Sequence, residues 1–84
     1  MKKGMVALVH EQGQNFAVMA VKDRVIQDPA LRERMMAFGQ TEWGARTALV
    51  GERNHRTYGP RDIVRWLETV ALEQLPWREF RFNI

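Results

Sequence analysis

The sequence predicts one small α+β domain, a two-layer sandwich of a four-stranded mixed sheet and two helices in the order β-β-α-β-α-β. Two apolar runs of strand length lie near the start of the chain, on either side of a polar turn. Two later segments have the 3.6-residue apolar period of a helix, and the last segment alternates apolar and polar residues. The 84 residues, 1–84, suffice for a single domain, and no linker or internal repeat divides them.

The first two strands are predicted to form a β-hairpin. Met5–Val9 and Phe16–Val21 are apolar on both alternating faces, as in strands that are internal to a sheet. The polar residues between them, 10–15, centre on Gly13, which suits a turn. We interpret Val25–Ile26 as a short continuation of the second strand or as a packing pair before the next element.

The first helix is predicted to begin at Asp28 and to end at Gly39. Aspartate can cap the free N–H groups of a helix, and Pro29 suits the first helical position. Residues 32–34 are charged and are expected to turn outward, while glycine is a typical C-terminal stop and residues 41–44 are interpreted as a connector. One apolar stripe follows spacings of four and three: Leu31, Met35 and Phe38.

The second half of the chain is predicted to form a strand, a helix and a final strand. The strand covers Ala45–Val50, and the helix extends from Pro60 to the residue before Pro76. From Trp77 to Ile84 the apolar and polar residues alternate, which predicts one buried face, and the charged outer residues suit an edge strand. The residues expected on the buried face of this strand are Phe80, Phe82 and Ile84.

The predicted layer arrangement leaves one sheet face to be explained. Two right-handed crossovers that progress in one direction place both helices on the same face of the sheet. Three of the four strands nevertheless look apolar on both faces, so the second face also needs a cover. Either the helices lie on opposite sides, or the open face meets a second copy in a homodimer, and the second alternative is the one we favour.

The composition excludes several classes of site. The chain has no cysteine and no serine, which excludes disulfides, thiolate ligands and nucleophiles of either type. Its two histidines are far apart and its glycines match no phosphate or dinucleotide loop, so we expect no metal and no cofactor and assign no family. No apolar run approaches the roughly 20 residues of a membrane-spanning helix. We therefore expect a cytoplasmic protein without a membrane partner.

The segment from Arg53 to Arg65, here called the basic segment, concentrates the polar chemistry of the chain. It contains four arginines, one histidine and the only tyrosine of a protein with a formal net charge of +3. Gly59–Pro60 also predicts a helix start, whose unpaired N–H groups and positive dipole end can hold an anion. The basic segment is therefore predicted to bind an anionic partner such as nucleic acid or a phosphate group. The predicted contact residues are Arg53, His55, Arg56, Tyr58, Arg61 and Arg65.

Three alternatives to this interpretation remain open at the level of sequence. The arginines can form an ordinary solvated surface, as expected if the genome favours arginine codons. The protein can be an interaction module or homodimer in which Trp43 and Trp77 form the interface with the apolar second sheet face. It can also be a small enzyme that uses His55 as an acid or base near Glu52 and Asp62. A non-enzymatic, anion-binding protein is the leading interpretation.

Overall fold

The protein is organised around a five-stranded mixed sheet. The computed structural model describes residues 2–11 and 13–82. The strands are β1 (Lys2–Glu11), β2 (Gln14–Val21), β3 (Arg46–Gly51), β4 (Thr57–Tyr58) and β5 (Trp77–Phe82). The helices are α1 (Asp23–Gln27), α2 (Pro29–Trp43) and α3 (Arg61–Leu67), and a 3-10 turn covers Leu72–Gln74.

The strand order across the sheet is β4-β3-β2-β1-β5. β1 pairs antiparallel with β2 and with β5, β2 pairs parallel with β3, and β4 pairs antiparallel with β3. The predicted hairpin of the first two strands is confirmed, with Ala7 opposite Val18. The sheet has five strands rather than the predicted four. The additional strand, β4, has only two residues, which is too short to give a periodic signal in the sequence.

Helices cover both faces of the sheet, so the prediction of two layers is wrong. On one face, Ile26 of α1 and Met35 of α2 pack with Met19 and Leu49 of the sheet. The second crossover, from β3 to β5, runs across the sheet in the direction opposite to the first, from β2 to β3. Right-handed crossovers in opposite directions place their helices on opposite faces.

The second face is covered by α3 and the segment that follows it. Ile63 and Leu67 of α3 are buried against Val9, Val18 and Ala48. Leu72 of the 3-10 turn and Leu75 just after it pack at the border of this cluster. The open sheet face that favoured a homodimer is therefore covered within the chain itself, while the homodimer as such stays a prediction.

The helix α2 begins as predicted but extends four residues beyond Gly39. The Asp28 side chain accepts hydrogen bonds from backbone N–H groups of the first turn at 3.0 and 3.2 Å. Gly39 is buried inside the helix, where a Cβ atom would lie 2.5 Å from Oγ1 of Thr47. The helix ends at Trp43, and Gly44 adopts the left-handed φ of 61° that suits a C-terminal cap. Gly39 thus permits close helix–sheet approach instead of ending the helix, and residues 41–43 belong to α2.

Other element boundaries also differ from the sequence prediction. Val25–Ile26 belongs to the short helix α1. The predicted second helix ends at Leu67, where Thr69 donates a hydrogen bond from its hydroxyl to the carbonyl of Trp66 (2.7 Å) and so competes with helical backbone bonds. The prediction of a final edge strand is confirmed, since β5 lies at one edge of the sheet. The predicted positions of Asn83 and Ile84, and residue 12 of the predicted turn, lie outside the described residues.

Candidate functional site

An open groove of about 730 Å³ lies at the end of the sheet where the parallel strands β2 and β3 terminate. Ligands of α/β proteins often bind at the carboxyl ends of parallel strands, as the sequence led us to expect for the loop after β3. Three basic side chains line the groove. They are Arg32 of α2 and the His55 and Arg56 side chains of the basic segment. The remaining wall includes the acidic Glu68 and three apolar residues: Ile26, Leu67 and Leu72.

The loop between β3 and β4 presents His55 and Arg56 on a fixed backbone. The N–H of Gly51 donates to the carbonyl of Arg56 (2.8 Å), and the N–H of His55 donates to the carbonyl of Gly51 (3.1 Å). The side-chain oxygen of Asn54 accepts from the N–H of Arg56 at 2.9 Å. His55 has a φ of 57°, a left-handed conformation that few residues other than glycine adopt. These contacts determine the path of the loop along the groove.

Main-chain donors of the loop, and one at the start of α3 where the sequence predicted an anion site, are bonded to acids of the protein itself. Oδ1 of Asp23 accepts from the N–H groups of Arg53 and Asn54 at 3.1 and 3.3 Å. At the start of α3, Asp62 accepts a backbone hydrogen bond from Ile63. The first turn of α3 therefore already has a carboxylate at its positive end. An anion in the groove is left with side-chain donors.

Asp62 also forms a bidentate ion pair with Arg46 of β3. The two guanidinium nitrogens lie 3.1 and 2.8 Å from the two carboxylate oxygens, and one of them lies 2.6 Å from Oε1 of Gln14. The hydrogen bonds from Arg46 lower the pKa of Asp62, and the same pairing raises the pKa of Arg46. Both side chains are about half exposed, so the pair is sensitive to salt. It joins the start of α3 to the sheet.

Arg32 is the functional candidate that the sequence did not identify. Its Nη1 donates to the carbonyl of Ile26 (3.1 Å), and its guanidinium carbon lies 4.2 Å from the centre of the Tyr58 ring. The Tyr58 hydroxyl in turn donates to Glu33 at 3.2 Å. The Nε of Arg32 is shielded from solvent and has no acceptor among the residues that the structure describes. The sequence expected this residue to turn outward, and nothing local in the sequence indicates a contact 26 residues away.

The six predicted contact residues do not form one cluster. His55 and Arg56 line the groove, and Tyr58 supports Arg32 beside it. The other three arginines are exposed outside the groove: Arg53 on the loop, and Arg61 and Arg65 on α3. Within residues 2–11 and 13–82, no carboxylate forms an ion pair with any arginine of the basic segment. These side chains therefore remain available to solvent and to an anionic partner.

The two tryptophans proposed for an interface both pack within the chain. Trp43 meets the rings of Phe38 and Phe80 edge-on, with centroid distances of 5.8 and 5.1 Å. Trp77 is half buried beside the α3 cluster, and its Nε1 donates to the carbonyl of Leu72 at 2.7 Å. Both side chains have clear intramolecular roles, and their part in an interface stays a prediction.

The described residues contain neither a cluster of metal ligands nor a helix that could span a membrane. Across residues 2–11 and 13–82, histidine, aspartate and glutamate side chains nowhere gather in groups of three that could hold a metal ion. The described helices, of which α2 with 15 residues is the longest, lack the length and hydropathy needed to span a membrane. The acid–base hypothesis for His55 also stays a prediction. Of its two expected acidic neighbours, Glu52 and Asp62, the second pairs with Arg46. Glu68, which the sequence did not assign to His55, lines the same groove.

Comparison with known proteins gives no relative from which a function could be transferred. No protein family, no curated protein and no solved structure matches the chain. A function for this protein therefore has to be inferred from the chemistry of the groove.

Proposed function

We propose that the groove binds an anionic ligand, and that a phosphate-bearing molecule is the class it fits best. The single observation that supports this proposal most is the convergence of Arg32, His55 and Arg56 on one groove. A guanidinium group offers a planar fork of donors that matches the oxygens of a phosphate.

The size and lining of the groove favour a ligand that has both a charged and an apolar part. A volume of about 730 Å³ falls within the range of roughly 300 to 1,000 Å³ that is typical of small-molecule sites. Ile26, Leu67 and Leu72 provide the apolar part of the lining. The carboxylate of Glu68 would repel a second anionic group but would accept a hydrogen bond from a sugar hydroxyl or an amino group. A nucleotide, free or at the end of a nucleic acid strand, combines these features.

The exposed arginines outside the groove can distinguish a small ligand from a polymeric one. A mononucleotide that occupies the groove does not reach Arg61 and Arg65 on α3. A nucleic acid strand continues beyond the groove and can place further phosphates near them. The contribution of these two arginines therefore distinguishes the two ligand classes.

The proposal is tested by measuring the affinity for a nucleoside triphosphate and for a single-stranded oligonucleotide by calorimetry over a range of salt concentrations. Arg56→Ala is expected to weaken both by about tenfold or more, because a hydrogen bond to a charged group contributes about 1.5 to 3 kcal/mol. Arg34→Ala is the matched control, since it removes the same charge from an exposed site on α2 that does not line the groove. Arg61→Ala with Arg65→Ala is expected to reduce the salt dependence for the oligonucleotide only.

The outcomes separate the proposal from its alternatives. The absence of binding by either ligand at low salt would remove anion binding as the function of the groove. An equal loss of affinity in Arg34→Ala and Arg56→Ala would show that only the net charge matters. A protein that copurifies with the chain and stays bound at high salt would favour the interaction module instead, because salt does not weaken apolar association.

A further inference from the structure

The two edges of the sheet differ greatly in length. β4, at one edge, has two residues, whereas β5, at the other edge, has six. A strand at an edge presents unpaired N–H and C=O groups that can pair with another strand. An edge of two residues offers almost no such surface. Among the described residues no strand covers the outer side of β5, so this edge can accept a further strand.

The side chains of β5 carry a charge pattern that is specific for one kind of partner. Glu79 and Arg81 are exposed and two residues apart, so they lie on the same face of the sheet. Phe80, between them, lies on the opposite face and packs against Trp43, 5.1 Å away between ring centroids. One negative and one positive side chain thus flank a half-buried aromatic residue of the edge strand.

We propose that β5 pairs antiparallel with β5 of a second copy of this chain, about a two-fold axis through Phe80. This axis places Glu79 opposite Arg81 of the second copy and, by symmetry, Arg81 opposite its Glu79. Opposite charges at directly opposed positions stabilise an antiparallel pair. The same axis brings the two Phe80 residues together on the face where each packs against Trp43. The result is a continuous ten-stranded sheet.

Backbone geometry leaves few other registers for such a pair. Successive residues of a strand direct their N–H and C=O groups to opposite sides of the strand. A residue whose backbone groups point toward the partner strand therefore has to lie opposite a residue whose backbone groups point back toward it. A two-fold axis therefore passes through a residue and not between two residues. Axes through Arg78, Glu79 or Arg81 place that charged residue opposite its own copy, which destabilises the pair. Between residues 78 and 81, only the axis through Phe80 avoids this repulsion.

The pairing is independent of the proposed anion site. The groove is next to β4, and β4 and β5 lie at opposite edges of the sheet. A dimer joined through β5 therefore leaves the groove of each copy open. Failure of one proposal does not entail failure of the other.

The first test is the mass in solution, measured by sedimentation equilibrium from micromolar to millimolar chain concentration. The wild-type protein is expected to reach twice the chain mass of 9.9 kDa. Arg81→Glu places two glutamates opposite each other and is expected to remain a single chain. The exchanged variant Glu79→Arg with Arg81→Glu restores opposite charges and is expected to recover the dimer. Arg53→Glu makes the same charge change on the loop beside β4 and is expected to leave the dimer intact.

A wild-type mass of one chain throughout the concentration range would overturn the proposal. A dimer that persists in Arg81→Glu, or that is lost equally in Arg53→Glu, would overturn it as well. Circular dichroism of each variant checks that the sheet is formed. A variant that keeps its sheet but loses the dimer has lost the pairing and not the fold. Recovery in the exchanged variant cannot result from a general effect of charge, because its composition is that of the wild type.

The second test reports the register directly and does not depend on the charge variants. The chain has no cysteine, so single cysteines at position 79 or 81 are the only thiols in their proteins. Directly opposed residues have Cβ atoms about 4.5 to 5.5 Å apart, and disulfides form at this spacing with small adjustments. A mixture of Glu79→Cys and Arg81→Cys is expected to form the mixed disulfide in large excess over either homodimer. A statistical 1:2:1 mixture of the three products, or an excess of one homodimer, would rule out an axis through Phe80.

Discussion

The carboxylate of Asp23, at the start of α1, accepts a hydrogen bond from the backbone N–H of Arg53 at 3.1 Å, across 30 residues of chain. A second bond, from the N–H of Asn54, shares the same oxygen at 3.3 Å. These contacts tie the loop after β3 to the element that follows β2. They also occupy two main-chain donors of the basic segment, so the proposed recognition of an anion depends on the side chains of Arg32, His55 and Arg56.

Asp23→Ala is expected to lower the free energy of unfolding by about 1 to 2 kcal/mol, because two backbone donors lose a charged acceptor. Asp23→Asn retains Oδ1 as a neutral acceptor and is expected to lose less. Urea denaturation measures both values. The amide protons of Arg53 and Asn54 are expected to exchange faster in Asp23→Ala, and unchanged exchange rates would show that the carboxylate does not hold the loop.

Gly39→Ala is expected to destabilise the protein by about 1 to 3 kcal/mol, as overpacking of a core does. A Cβ atom at this position would lie 2.5 Å from Oγ1 and 2.6 Å from Cγ2 of Thr47. Helix propensity alone predicts the opposite sign, since alanine is favoured over glycine by about 1 kcal/mol inside a helix. The sign of the change in urea denaturation therefore decides between close packing and intrinsic propensity.

Thr47→Ala provides the control for this contact, because it removes the two atoms that a Cβ atom at Gly39 would approach most closely. In the Thr47→Ala background, Gly39→Ala is expected to cost clearly less than in the wild type. A double-mutant cycle measures this coupling. Additive effects of the two substitutions would mean that the clash is relieved by movement of α2 and not at Thr47.

Asp62→Asn is expected to reduce the acid sensitivity of the fold. The bond from Arg46 lowers the pKa of Asp62 below its ordinary value of about 4. A lowered pKa in the folded state contributes stability that is present above the ordinary pKa and is lost as the pH falls through the lowered one. Wild-type and Asp62→Asn midpoints of thermal unfolding, compared from neutral pH downward, are therefore expected to converge in acid. A constant difference at every pH, or no difference at neutral pH, would contradict a stabilising ion pair.

Tyr58→Leu is expected to weaken ligand binding in the groove, because Arg32 loses the aromatic face that lies 4.2 Å from its guanidinium carbon. Tyr58→Phe retains that face and loses only the hydroxyl bond to Glu33, so its affinity is expected to stay close to that of the wild type. Calorimetry with the nucleoside triphosphate compares the two variants. Equal losses in both would assign the effect to the hydroxyl group instead of the ring.

Local patterns in the sequence predicted the elements that depend on near neighbours. The Asp28–Pro29 start of α2 is encoded by adjacent residues, because a side-chain cap and a fixed proline φ act within one helical turn. The hairpin of β1 and β2 likewise follows from two apolar runs on either side of a polar turn, and the edge position of β5 follows from its alternation of apolar and charged residues. Gly39 misled the prediction because a glycine required for close packing and a glycine that ends a helix look the same in one sequence.

The candidate site was only partly predictable for the same physical reason. His55 and Arg56 are close in sequence, and their concentration of charge was visible there. Arg32 joins them only because the first crossover carries α2 to the side of β4, where Tyr58 meets its guanidinium group. The acids that occupy the main-chain donors, Asp23 and Asp62, also act through contacts that the fold creates.

The sequence by itself therefore determined a small α+β fold, the start of its main helix, its first hairpin and a cluster of basic residues. Each of these depends on interactions between residues a few positions apart. Only the tertiary structure decided that helices cover both faces, that the groove includes Arg32, and that β5 is the longer of the two edge strands. These features depend on the direction in which two crossovers traverse the sheet, and that choice is set by packing across the whole chain instead of any local pattern.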